Sequence, residues 1–145
     1  MLSRTRFPAL ALLVAGVFLC IGATQAQEKS AKVLEKGQFH NADKTGKGTA
    51  TLYQLADGKR VLRLTDLAVD NGPDLHVRLI AANDAKNTAS VAKTDHVELG
   101  KLKGNKGSQN YDVPASVDLS KYRVVSIWCN RFSINFAAAP LKAVK

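Results

Sequence analysis

The sequence predicts an all-β fold, an antiparallel β-sandwich built as a single domain. Three observations carry this. Short apolar or alternating runs recur along the chain, turn-forming dipeptides separate them, and no stretch shows the periodicity of an amphipathic helix. About seven or eight short strands of this kind indicate a sandwich or barrel rather than a helical or α/β fold.

The chain opens with a segment outside that pattern. Arg4 and Arg6 precede an apolar run, Leu10 to Ile21, and small residues end at Ala26. This is the layout of a cleaved secretory signal peptide, residues 1–26, and the run is short for a membrane-spanning helix. Cys20 lies inside the run, behind the bulky Phe18 and Leu19, which do not suit a lipid-attachment site. It is therefore expected to leave with the signal, so that Cys129 becomes the single cysteine of a secreted or periplasmic chain.

Residues 27–36 are polar and unpatterned and read as a tether or a short helical turn, with the domain proper spanning 37–145. "GTATLYQL" (48–55) and "RVLRLTDL" (60–67) flank Asp57-Gly58, a dipeptide that favours a tight hairpin. "NGPD" (71–74) is a turn that launches a strand in which Leu75, Val77 and Leu79 alternate with His76, Arg78 and Ile80. Residues 83–95 read as a loop, "VELGKL" (97–102) as a strand and "KGNKGSQ" (103–109) as a glycine-rich loop. "RVVSIWC" and "FSINFAAAPL" close the chain as two strands around Asn130-Arg131. Val125, Ile127 and Cys129 share one face of the first, and Val124, Ser126 and Trp128 share the other, so this strand is expected at the centre of its sheet. In the second, Phe132, Ile134 and Phe136 are expected on one face.

Charge and motifs narrow the function. The formal net charge is +9, and removal of residues 1–26 takes two arginines and no acids, leaving +7 on 119 residues. The bases are dispersed, which argues against a nucleic-acid footprint and fits a solvated surface with weak attraction to anionic partners. No CxxC, CxxCH, paired-cysteine zinc set, blue-copper loop, Walker loop or G-x-S-x-G elbow is present, so a conventional enzyme has no motif behind it. His40, His76 and His96 are isolated and read as surface residues. Cys129 has three readings on residues alone: a buried small apolar side chain, a redox or ligand-binding thiol, or half of an intermolecular disulfide. Its place beside a turn predicts access from solvent, with Trp128 as an aromatic wall and Arg131 as a nearby positive charge.

Taken together, "GQF" (37–39), "GTATLYQL", "RVLRLTDL", "NGPDLHVRL", "LGKLKGNKGSQNYDVP" and "YRVVSIWCNRFSINFAAAPL" resemble the DM-thirteen domain family, over residues 37 to 141. The resemblance implies an immunoglobulin-like sandwich related to DOMON domains, which bind haem or sugars. It also implies electron transfer through a characteristic cysteine, matched by Cys129, with Asp74 matching the aspartate of the "GPDL" turn. Leu67 and Arg78 stand where the family often has aromatics, which weakens a flat ligand-binding face. A haem or metal cofactor is compatible with this role, though the sequence names none. Asp74, Trp128 and Arg131 are the expected neighbours of the site. The expected partner is a redox protein or small ligand, with no nucleic acid and no transmembrane segment after cleavage. The alternative is a non-catalytic binding module for anionic glycan or envelope partners, with Cys129 structural.

Overall fold

The computed structural model describes residues 31–145, so the expected signal peptide lies outside the described residues. Ten strands and no helices occur among them: β1 (Lys32–Gln38), β2 (His40–Asn41), β3 (Gly46–Gln54), β4 (Arg60–Val69), β5 (Leu75–Ile80), β6 (His96–Lys101), β7 (Lys106–Val113), β8 (Val124–Cys129), β9 (Ile134–Pro140) and β10 (Lys142–Ala143). They form two antiparallel five-stranded sheets, ordered β10-β1-β3-β4-β7 and β2-β9-β8-β5-β6. The predicted sandwich is the observed fold. β8 is the middle strand of the second sheet, as its two apolar faces require.

The β3–β4 hairpin forms at Asp57-Gly58. Gly58 takes φ +86°, its amide donates to the Leu55 carbonyl at 2.9 Å, and the Leu55 amide donates to Lys59 at 2.7 Å. Glycine reaches this φ without the steric cost a Cβ would add. The strands then bury alternate residues against the opposing sheet. β3 contributes Ala50 and Leu52; β5 contributes Leu75, Val77 and Leu79; β8 contributes Val125, Ile127 and Cys129. Burying a leucine or isoleucine here stabilises the fold by about 1.5–3 kcal/mol relative to exposure.

In β4 the alternation breaks, because Leu62, Leu64, Leu67 and Val69 are all buried. A β-bulge between Leu64 and Leu67 inserts the extra residue, and Asp66 sits there at φ 51°. The bulge resets the register so that both halves of the strand face the core. Gly48 lies across from it at φ +125°, where an added Cβ would approach Thr65 O, Asp66 O and Leu67 Cα at 2.9 Å each.

Three local expectations change. Lys32–Lys36, read as tether, belong to β1, which pairs with β3 from Lys32↔Gln54 to Gln38↔Thr49. Its exposed side chains hide the strand from a hydrophobic pattern, because backbone pairing and Leu34 alone anchor it. β7 begins at Lys106, inside the expected glycine-rich loop, with Gly107 at φ +99° where its pairing with β4 shifts register. Phe132 does not share the face of Ile134 and Phe136; it lies in the turn before β9 and is 53% exposed.

The connection from β5 to β6, residues 81–95, covers part of the outer face of the second sheet. Ala85 and Val91 plug it against Ile80, Val124 and Ala138. Polar latches hold it down: the Asn135 amide donates to Thr88 Oγ1 at 2.8 Å, Asn135 Nδ2 to the Ala85 carbonyl at 3.1 Å, and the Thr88 amide to Asp43 Oδ2 at 2.9 Å.

Candidate functional site at the end of the central strand

Cys129 is the last residue of β8, paired with Leu75 on β5 and Ile134 on β9. Its strand parity turns the thiol into the core, where it is wholly buried in the same apolar cluster as Phe136. The expected access beside the turn is closed. The neighbouring strands supply that cover, and a strand's own sequence does not reveal it. Cys129 is the only cysteine of the described residues and is unpaired.

Two turns form the rim above it. The Asn130–Ser133 turn follows Cys129 and holds Ser133 at φ 52°. The Gly72–Asp74 turn docks on it through one backbone hydrogen bond, donated by the Asn130 amide to the Asp74 carbonyl at 2.9 Å. At this rim lies a hollow of about 300 Å³, lined among others by Gly72, Asp74, Leu75 and Lys101. Leu75, the cross-strand partner of Cys129, is therefore part of its wall. Gly72 packs closely there, since a Cβ would come within 2.8 Å of Leu75 Cδ2 and 3.0 Å of the Phe136 ring, and these side chains would have to shift to admit it.

The other face of the same strands carries a polar cluster. His76 pairs across the sheet with Trp128 and is nearly buried. Its Nε2 lies 2.8 Å from Asp74 Oδ1, and its Nδ1 faces Glu98 Oε1. Next to it, the Arg78 guanidinium stacks over the Trp128 ring at 4.8 Å from the centroid and donates from Nη2 to Asn130 Oδ1 at 2.6 Å. Burial pulls the Arg78 guanidinium below its ordinary value, against the opposing charge of Glu98.

Of the residues expected at the site, Asp74 and Trp128 come together on the outer face, whereas Cys129 points away from both into the core. Arg131 is exposed in the turn. His76, read as an isolated surface residue, is instead clasped between two carboxylates. Glu98 and Asn130 are not expected from the sequence, and Arg78 enters there only as a departure from the family's aromatics. Parity places His76 and Arg78 on the face of Trp128, but the position of Glu98 depends on the pairing of β5 with β6 and is invisible locally.

Fold and rim together define an antiparallel sandwich with one enclosed thiol at the end of its central strand. The family model described as Electron transfer DM13 matches residues 38–141, and the chain belongs to that family. No curated protein and no solved structure matches it significantly.

The described residues do not fit a haem or a metal. Both nitrogens of His76 face carboxylates, and those of His40 face the Asn41 carbonyl and Asp84 Oδ1 at 2.7 Å each. The sulfur of Cys129 is enclosed by apolar side chains, and His96 stands exposed at the start of β6. No three His, Cys, Asp or Glu side chains among the described residues converge as a ligand set.

Proposed function

We propose that this chain is an exported electron-transfer domain in which Cys129 is a guarded thiol, sealed at rest and reached when the rim opens. The pairing of Cys129 with Leu75, itself a wall of the rim hollow, supports this reading. The Gly72–Asp74 turn is held by one backbone hydrogen bond to Asn130 and by the Asp74–His76 contact, so its displacement breaks few bonds and is a local event rather than global unfolding. A single thiol has no stable one-electron couple of its own. Exchange with a disulfide-bearing partner uses only the group this chain supplies. The Cys129 thiolate attacks one partner sulfur, a mixed disulfide forms, and the other partner sulfur leaves as a thiolate. A thiolate of a second partner then attacks the partner-derived sulfur of the mixed disulfide, a disulfide forms between the two partners, and Cys129 leaves as a thiolate, so the first partner is reduced and the second oxidised. Asp74, tied to His76, and Trp128, tied to Arg78, position the two turns that open.

The test is native-state alkylation of Cys129 by iodoacetamide at increasing low urea, beside global unfolding followed by the fluorescence of Trp128, the only tryptophan. Local opening gives modification faster than global unfolding allows and nearly independent of urea. Modification that tracks the unfolded fraction throughout would falsify the guarded thiol.

A second reading, a binding module for anionic glycan or envelope partners, is favoured by the enclosure of Cys129 in the apolar core together with the dispersed positive charge. It calls for retention on a heparin-type resin that falls with salt and is unchanged by Cys129→Ser.

A further inference from the structure

At the far end of β8 from Cys129, Val124 pairs with Pro140, and two crossovers between the sheets run side by side. One leads from β1 to β2, the other from β9 to β10. They touch at Gly37, where a Cβ would collide with the Pro140 carbonyl oxygen. The corner encloses a hollow of about 440 Å³, lined among others by Lys36, Phe39, His40, Pro140 and Lys142.

Lys36 and Lys142 are directly opposite residues of the β1–β10 pairing. Like charges so placed repel one another and weaken the pairing. Neither lysine has a carboxylate partner among the described residues, whose ion pairs involve His40, Lys59, His76 and Lys121. Both lysines are exposed, and their ammonium groups are free to turn toward the hollow. His40 lines it too, but its ring nitrogens are already engaged by Asn41 and Asp84, so it offers the hollow no free donor. Two uncompensated cations over a concave surface with apolar walls describe a receptor for a compact, multiply charged anion.

We propose that this corner is a binding site for a phosphate or sulfate group, bridged by Lys36 and Lys142. The site is independent of Cys129. It gives the anion-binding reading an address and rests on that reading for the class of ligand.

The experiment is a titration of the isotope-labelled full chain, as isolated after export, with inorganic phosphate at constant ionic strength. Amide shifts are followed at Gly37, Leu141 and Lys142, with Gly58 on the β3–β4 hairpin as reference. A parallel titration uses a sulfated disaccharide, and tighter binding of the disaccharide shows that the site reads an anionic sugar rather than the free ion. The expected result is saturable shifts confined to the corner, weakened about fivefold in Lys36→Gln/Lys142→Gln, as two exposed charge contacts imply. Shifts spread evenly over lysine-bearing surface, or unchanged in the double variant, overturn the site. Retention on a heparin-type resin without corner shifts overturns the site and leaves the anion-binding reading standing; absence of both removes the two together. As an independent check, Lys142→Glu is expected to raise the melting temperature of the anion-free protein at low salt and to abolish its response to phosphate. A lower melting temperature in that variant, or an intact response, counts against the repulsive pair.

Discussion

Replacing Cys129 by serine exchanges one sulfur for one oxygen with little change in shape, which isolates the polarity of its surroundings. The side chain is wholly buried, faces Leu75 and Ile134 across the sheet, and belongs to the cluster that holds Phe136. A thiol in such a place behaves as a small hydrophobe. A hydroxyl brings a donor and acceptor into an apolar site, at a cost of about 1–3 kcal/mol from protein mutational data. A value of about 2 kcal/mol lowers the melting temperature by roughly 8 °C for a domain of this size. Urea denaturation followed by Trp128 fluorescence measures the change, since the indole sits on the adjacent residue and the sequence has no other tryptophan. Cys129→Ala supplies the comparison, because it leaves a small void and no polar group. The reasoning fails if the serine variant is as stable as the parent or clearly more stable than the alanine variant. Either result means that the sulfur meets water or a polar partner in the native state.

Three further outcomes follow from the geometry. Gly48→Ala forces a Cβ to 2.9 Å from three backbone atoms at φ +125°, and is expected to cost about 2 kcal/mol or more in urea denaturation; near-neutral behaviour refutes the bulge packing. The His40–Asp84 pair sets a pH window. Burial disfavours charged His40, but hydrogen bonds to Asn41 and Asp84 outweigh it and hold its pKa above the ordinary value; Asp84, also opposed by burial, is held below its own by the His40 and Ala85 hydrogen bonds. The raised histidine stabilises fully below its unfolded pKa and loses this as pH rises through the folded one, while the depressed aspartate loses its share as pH falls through its folded value. Melting temperature against pH should therefore be flatter in Asp84→Asn through both windows, and identical profiles exclude the pair as a contributor. Arg78→Ala removes the stack on Trp128 and the bond to Asn130; a loss of about 1 kcal/mol in stability is expected, along with a changed Trp128 emission, and an unaltered spectrum contradicts the stacked geometry.

The sandwich was legible because its strands obey simple rules. Asp57-Gly58 demands a hairpin, β5 alternates cleanly, and β8 is apolar on both faces and therefore central. What escaped detection depends on partners distant in the chain. β1 is an edge-side strand with a polar exterior, so its pairing with β3 leaves little mark on its composition. The bulge at Asp66 breaks the period in β4 only after Leu64, and Gly48 opposite gives the reason. Parity correctly turned Cys129 inward, toward Val125 and Ile127. Its closure depends on Leu75 and Ile134, which arrive from two other strands, so access was misjudged. The clasp on His76 combines a carboxylate two residues before it with one from β6, and only the sheet brings these together.

The edges of the two sheets have a consequence for the crowded surroundings that any folded domain meets. Each sheet ends on one side in a strand of only two residues, β2 and β10, which offers almost no backbone ladder for another chain to copy. The opposite edges, β6 and β7, are longer, but their pairing is interrupted by register shifts near Gly100 and Gly107, and they carry exposed His96, Glu98, Lys101 and Lys106. Short, kinked and charged margins discourage strand-by-strand polymerisation. These margins work against edge-to-edge growth, even though more than half of the described backbone is in the extended conformation from which fibrils grow.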